Sequence, residues 1–246
     1  MKPIQLSLIL LLFTSFSNAQ TYPSGKSILD KVDKNMSVKS QIVKSKMEIN
    51  SSRGVRTMEL QSWTEGSEKS FTEYLAPVRE KGTKMLKIAN KLWIYSPATD
   101  RIIQISGHML RQSVMGSDLS YEDMMSNQAL LEQYAAVVTT EEELDGRNCW
   151  VVKLTAITSD VVYFSQKMWV DQERNIPLKV ELFAKSGKLL KQIAFADVQK
   201  IQNRWYPMTY VYKDMLKAGK GTKLMIEDVK LDVKIPTTVF NMSNLK

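Results

Sequence analysis

Lys84-Met85-Leu86-Lys87-Ile88, the short turn Asn90-Lys91, and then Leu92-Trp93-Ile94-Tyr95 decide the fold class of this chain. Two short runs rich in apolar and aromatic residues, split by a polar turn, predict a β-hairpin. A second turn, Pro97-Ala98-Thr99-Asp100, leads into another run at 101–105. Three strands therefore lie in a meander. Working toward the N-terminus, Gly82 breaks the pattern before a run at 71–75, and 57–63 and 43–49 alternate with a period of two. Working toward the C-terminus, runs at 135–142, 149–157, 161–171, 177–183, 189–198, 205–212 and 223–231 are punctuated by Asp145-Gly146, Ser186-Gly187 and Gly219-Lys220-Gly221. The expectation is a mainly β protein of about ten or eleven strands.

Three stretches depart from that pattern. Ser27 followed by Ile28, Leu29, Val32 and Met36 predicts one opening helix, capped by Ser27. Residues 106–133 hold Gly107, Gly116, the methionines Met109, Met115, Met124 and Met125, and a Ser-x-x-Asp box at Ser120 and Asp123. They predict a loop with one or two short helices inserted between strands. Residues 236–245 predict a short helix or coil. An antiparallel sheet this long must curl or close. If it closes only in part, the middle segment can cover the cleft that remains.

The first residues predict an exported protein. Lys2 is a positive start, 4–16 is mostly apolar, and Ser17-Asn18-Ala19 offers the small residues of a signal-peptidase site. Cleavage is expected between Ala19 and Gln20, with residues 20–246 forming a single β domain. The apolar run is too short for a ~20-residue span, and no cysteine follows it to take a lipid. The formal charge of +8 falls to +7 when Lys2 is removed. Lysines and acids are interspersed, as in Lys44-Ser45-Lys46-Met47-Glu48, which fits a solvated sheet face and transient contact with an anionic membrane surface better than nucleic acid. The single cysteine, Cys149, allows no internal disulfide, which favours a bacterial periplasm over a disulfide-rich secreted scaffold.

Catalytic constellations are sparse. His108 is the one histidine, in a loop, and no Gly-x-Ser-x-Gly elbow accompanies it. Cys149 sits in the apolar run Cys149-Trp150-Val151-Val152 and is expected to be an inert buried thiol. Gly219-Lys220-Gly221-Thr222 lacks the earlier glycine of a phosphate loop. Asp118, Glu122 and Asp123 lack EF-hand spacing. No enzyme activity, metal or cofactor is implied. What stands out is the clustering of methionines in the middle segment, because adaptable thioethers suit a binding surface and loops carry function more often than scaffolds do.

Gly82-Thr-Lys-Met-Leu-Lys-Ile, Leu92-Trp-Ile-Tyr-Ser-Pro-Ala-Thr-Asp-Arg-Ile-Ile and Ser113-Val-Met-Gly-Ser-Asp-Leu-Ser-Tyr-Glu-Asp-Met resemble the outer-membrane lipoprotein-sorting proteins of the LolA-like superfamily. Glu143-Leu-Asp-Gly-Arg-Asn-Cys-Trp-Val-Val, Met168-Trp-Val-Asp and Ile176-Pro-Leu-Lys follow in the order of that pattern. The resemblance implies a curled, half-closed antiparallel β-barrel with helices as a lid over an apolar cavity. It implies carriage of acyl chains, of lipoproteins or lipids, across the periplasm, and the branch concerned is linked to exporters of the resistance-nodulation-division type. No catalytic residues come with it. The cavity and lid residues expected on this basis are Leu86, Trp93, Tyr95, Ile103, Met115, Met124, Met125 and Trp169. A second reading is a regulatory or accessory module that binds a membrane partner. A third is a hydrolase built on His108, Ser113 and Asp118.

Overall fold

The computed structural model describes residues 22–51, 54–125 and 129–246. The predicted leader at 1–19 lies outside them. Among the described residues there are thirteen strands, all in one antiparallel sheet. They are β1 (Ser40–Ser51), β2 (Gly54–Glu65), β3 (Lys69–Ala76), β4 (Lys84–Ile88), β5 (Lys91–Ser96), β6 (Arg101–Ile105), β7 (Tyr134–Leu144), β8 (Arg147–Ala156), β9 (Ser165–Asp171), β10 (Pro177–Phe183), β11 (Leu189–Ile201), β12 (Arg204–Asp214) and β13 (Gly221–Leu231). The expected total of ten or eleven is too low. Each of the runs read from the sequence, the short β4, β5 and β6 included, forms a strand of its own.

The order across the sheet is β6-β5-β4-β3-β2-β1-β13-β12-β11-β10-β9-β8-β7. Every neighbour is a sequence neighbour except one: β1 pairs with β13, which joins two meanders into one sheet. The sheet does not close, so β6 and β7 are its two edges. Yet β6 and β7 are consecutive in the chain. The segment between them must therefore run from one edge to the other, and this topology lays it over the concave face. That segment holds two 3₁₀ helices (Gly107–Arg111 and Val114–Gly116) and two short α-helices, α2 (Tyr121–Met125) and α3 (Leu130–Gln133).

The opening helix, α1 (Gly25–Met36), packs on the same face at the other end of the sheet. Its cap is Ser24 rather than Ser27. The Ser24 hydroxyl accepts from the backbone N–H of Ser27 at 3.2 Å, so Ser27 lies one turn inside. Ile28, Leu29 and Val32 are buried against Val152, Leu154, Met168, Val170, Val180 and Leu182 of β8, β9 and β10. Contact is close enough to require glycine at the helix start. A Cβ on Gly25 would stand 2.3 Å from the carbonyl oxygen of Ala136 in β7.

Turn chemistry accounts for much of the register. Asp145 and Gly146 both have positive φ, as the two-residue turn between β7 and β8 demands. The β4–β5 turn is Ala89-Asn90, one residue earlier than predicted, because Lys91 already pairs with Ile88. Gly221 is packed so that a Cβ would meet the Tyr212 carbonyl oxygen at 2.5 Å. The run predicted at 161–171 becomes a strand only from Ser165. Tyr163 is instead held by side chains: its carbonyl accepts from the Tyr134 hydroxyl at 2.8 Å. The C-terminal 236–245 stretch forms two 3₁₀ helices, Thr237–Phe240 and Met242–Leu245. They cover the convex face, where Phe240 and Leu245 pack on Phe71 and Leu86.

Candidate functional site: a hollow beneath the connecting segment

The two ends of the concave face are filled differently. Under α1 the wall side chains are long and apolar, and they interlock with the helix. Under the connecting segment the facing side chains on β1, β2 and β3 include Ser45, Ser62 and Thr72, which are too short to reach across. A cavity of about 260 Å³ remains. Its floor is Val43, Met47, Leu60, Tyr74, Leu224 and Ile226, with Gln41, Tyr206 and Tyr210 at one end. Its roof is Val114, Ser117, Leu119 and Met124 from the connecting segment.

Local strand geometry opens the space further. β12 and β13 are each eleven residues long, but they pair only from Thr209–Met225 to Tyr212–Thr222. Beyond Thr209 the strands separate, and Pro207 has no N–H to offer a ladder there. The β1–β13 register also shifts between Lys44 and Ser45, leaving Glu227 as the extra residue of a bulge. Tyr206, Ser45 and Ile226 border this irregular seam.

A second hollow of about 610 Å³ continues along the same strands. Met47 lines the first hollow, and Ile49, two residues on and on the same face, lines the second. Val114 roofs the first and Met115 borders the second. Arg56 and Val55 complete the second hollow, and Val55 is exposed to solvent.

The connecting segment is tied down at its rim by polar contacts. The capping box is present: the Ser120 hydroxyl accepts from the Asp123 N–H at 3.2 Å, and the Asp123 carboxylate accepts from the Ser120 N–H at 2.7 Å. That carboxylate also pairs with Lys191 of β11 and accepts from the Tyr163 hydroxyl at 2.5 Å. Burial acts to raise the Asp123 pKa. The Lys191 charge, with hydrogen bonds from Lys191, Ser120 and Tyr163, outweighs burial and holds it below the ordinary carboxylate value. Burial pushes the Tyr163 hydroxyl well up, and Asp123 adds to the rise. Asp118 accepts from the Thr222 hydroxyl at 2.8 Å and from the Asp214 N–H at 3.0 Å. Lys217 donates to the Ser117 carbonyl at 2.6 Å, and Arg56 donates to the Met115 carbonyl. Lys87, almost fully buried, donates to the carbonyls of Ser67 (3.0 Å) and Met125 (3.2 Å), and burial lowers its pKa.

The eight residues expected at the cavity are scattered by the fold. Met124 lines the first hollow and Met115 the second. Met125 packs beside them, against the cluster of Met47, Met58 and Leu60. Leu86, Trp93 and Tyr95 lie on the convex face, under the C-terminal 3₁₀ helices. Ile103 shares the concave-face parity of Ile94 and Ile105, but it stands on edge strand β6 at 46% exposure. Trp169 is on the convex face too: its indole N–H donates to Glu142 at 2.7 Å, with Lys167 and Lys179 each 4.3 Å from the ring centre. The walls that sequence reasoning missed come from β1, β2, β3, β12 and β13. Their signal was one face of β1 that mixes short polar with apolar residues: Gln41, Val43, Ser45, Met47.

The residues weighed for chemistry are placed as follows. Cys149 is fully buried, and burial pushes its thiol up to about 11. His108 is exposed. Ser113 takes a hydrogen bond from Lys217 at 2.5 Å, and Asp118 is engaged by Thr222. Among the described residues no group of three or more His, Cys, Asp or Glu side chains is arranged to hold a metal ion, and no helix is long and apolar enough to cross a membrane.

A protein-family model whose description reads "-like: Uncharacterized protein" matches residues 66–246, well over half of the chain, so the chain belongs to that family. No curated protein matches it in sequence. Among solved structures, a DUF1329 family protein from Desulfovibrio piger aligns with a TM-score of 0.83 at 23% identity, covering 90% of this chain and 98% of that one. A protein from Vibrio parahaemolyticus, described as a candidate outer membrane lipoprotein-sorting protein domain, gives 0.77 at 24% identity over 90% and 97%. A LolA superfamily protein from Nitrosomonas europaea gives 0.72 at 24% identity over 90% and 99%. The fold is therefore LolA-like: a curled antiparallel sheet, open along one side, with helices across the opening.

Proposed function

We propose that this LolA-like chain is a carrier or binding protein for an acylated cargo, lipoprotein or lipid, that moves through the periplasm toward the outer membrane. The observation that carries this reading is the hollow itself, with an apolar floor and a roof fastened mainly at its rim. Exposing a chain of about fourteen carbons to water costs on the order of 10 kcal/mol at ~0.8 kcal/mol per methylene. A soluble carrier must offset that with a concave apolar pocket, commonly ~300–1,000 Å³. The first hollow, at about 260 Å³, falls just short. A full-length chain would run on past Val114 and Met115 into the second hollow, or lift the roof. The adaptable side chains of Met115, Met124 and Met125 suit either course.

Export is part of the proposal: residues 1–19 serve as a cleaved leader and 20–246 work as one domain. The positive balance of the chain serves brief contact with anionic headgroups. Binding, rather than catalysis, is the work assigned to the fold. The exporter of the resistance-nodulation-division type implied by the sequence resemblance forms no part of the proposal.

The test is native mass spectrometry with lipid extraction on the chain purified from a bacterial periplasm without detergent. A stoichiometric acyl species that is lost in Leu60→Glu and Met124→Glu supports carriage and identifies the cargo. An empty protein that also fails to take up a fluorescent fatty acid overturns it. A ligand-independent complex with a membrane protein would then favour the accessory-module reading.

A further inference from the structure

The sheet is antiparallel throughout, so its connections alternate between two ends, and the two ends differ in composition. One end carries the β2–β3, β4–β5, β7–β8, β9–β10 and β11–β12 turns. None of these turns exposes a large apolar side chain, and their exposed charged residues are the acids Glu68, Asp145 and Glu173. The other end carries the β1–β2, β3–β4, β5–β6, β8–β9, β10–β11 and β12–β13 connections. At or beside them Val55, Val78, Ile157, Val162, Met215 and Leu216 are exposed, Val78 at 91%. These are six of the ten large apolar side chains exposed among the described residues. Loop tips ordinarily hold polar turn residues. Single exposed apolar residues are commonplace, whereas a set gathered at one place marks an interaction surface.

The loops come together around the second hollow. Asn50 pairs with Val55 at the β1–β2 tip. The β12–β13 turn lies so close on that tip that a Cβ on Gly219 would stand 2.4 Å from the Asn50 carbonyl oxygen. The β3–β4 connection is beside it, with Glu80 3.9 Å from Arg56. Val55 and Arg56 line the second hollow, so the hollow opens at this end. Exposed cations frame the apolar tips. Arg79 and Lys81 flank Val78, and Lys220 follows Leu216. Lys185 and Lys188 lie in the β10–β11 turn, which is tied to the next turn by the Met215 N–H donating to the Leu190 carbonyl at 2.9 Å. The acids of these connections are Glu80, Asp100 and Asp160. Glu80 is 3.9 Å from both Arg56 and Arg79, and Asp100 pairs with Lys246 at 3.1 Å.

We propose that this end of the sheet is a docking surface for an anionic phospholipid bilayer. The apolar tips enter the interface, the cations meet headgroup phosphates, and the second hollow opens toward the membrane. This deepens the carrier reading and rests on it for its purpose: a carrier that docks by its mouth can take up or hand over an acyl chain without exposing it to water. The attachment chemistry is separate from that purpose. Apolar area buried at the acyl boundary holds the protein. Each Lys or Arg near an anionic surface adds attraction, which salt screens. The opposite end, with its exposed acids, is left facing solvent.

Co-sedimentation of the chain purified from a bacterial periplasm tests this with two kinds of vesicle. One is made of equal parts phosphatidylethanolamine and phosphatidylglycerol, the other of phosphatidylcholine alone. The expected result is binding to the anionic vesicles that weakens as salt is raised, and binding to phosphatidylcholine weaker by about fivefold or more. Val78→Asp and Leu216→Asp should each weaken binding to the anionic vesicles about tenfold. Lys188→Glu and Lys220→Glu should each weaken it about fivefold. Gln202→Asp, which adds the same charge in a turn at the opposite end, should leave it unchanged. Uptake of a fluorescent fatty acid from solution, measured in parallel, should be the same in every variant, which also shows that they are folded. No binding to anionic vesicles, or a loss from Gln202→Asp as large as that from Leu216→Asp, overturns the inference; uptake from solution by the same protein would leave the carrier reading standing. Vesicle binding that depends on Val78 and Leu216, in a chain that takes up no fatty acid, supports the docking surface and overturns carriage.

Discussion

The two covers of the concave face differ in how they are held. Helix α1 is held by interlocking: Leu29 and Ile28 are buried in a dense apolar cluster, and Gly25 sits against the backbone of β7. The connecting segment spans a hollow and is held at its rim by Asp118, Asp123, Lys191 and Lys217. Dense packing is lost only all at once, because lifting α1 would open a cavity under its whole length. The connecting segment also packs apolar side chains, Val114, Met115 and Met125 among them, on the Met47–Leu60 cluster, but the void beneath it interrupts that packing. One end of the sheet is therefore a fixed core, and the other has a removable roof.

The largest effect that tests this contrast is expected from Leu29→Ala. It should lower global stability by about 2–5 kcal/mol in denaturant unfolding, as other large-to-small core changes do. If it costs no more than a change in the roof, the contrast fails. Asp123→Asn is expected next. It leaves Lys191 buried without its partner, and breaking such pairs costs about 3 kcal/mol or more. Here the loss should be local: faster amide exchange in residues 114–125, with α1 and β8–β10 protected as before. Equal loss of protection under α1 would mean that the two covers are one cooperative unit.

The same pair predicts a pH dependence. The folded-state pKa of Asp123 lies below its ordinary value, so its contribution is fully present above about pH 4. It is lost as pH falls through the lower folded value, when the carboxylate takes up a proton. Roof protection should therefore be flat from neutral pH down to about 4 and decline below that. Loss of protection already between pH 7 and 5 would place the controlling group elsewhere.

Met124→Ala should cost about 1 kcal/mol or less in stability, since one side of Met124 already faces empty space. It should weaken uptake of a fluorescent fatty acid several-fold. The smallest effect belongs to the solvated pair Lys46–Glu227, at 2.6 Å on the exposed sheet surface. Lys46→Ala should leave both unfolding and uptake unchanged.

The strands were legible in the sequence because alternation and turn residues are local signals. Asp145-Gly146 and Ser186-Gly187 bracket their strands as expected, and the Ser120–Asp123 box does start a helix. The middle segment was legible as a cover from its methionines. What alternation does not encode is which face is concave. Leu86, Trp93 and Tyr95 share a face whose cover is the C-terminal 3₁₀ pair, more than 140 residues away in sequence. The cavity floor depends on β1 meeting β13, a contact that no local pattern announces. Trp169 appeared suited to an apolar pocket, yet its ring is as well satisfied between two lysine side chains on the convex face.

The most direct test of the central claim is photo-crosslinking with a myristoyl probe carrying a diazirine near its methyl end, followed by peptide mapping. An acyl chain seated beneath the connecting segment predicts adducts on Met47, Leu60, Leu224 and Met124. Adducts confined to Leu86, Trp93, Tyr95 or Trp169 would put the chain on the convex face and contradict the account.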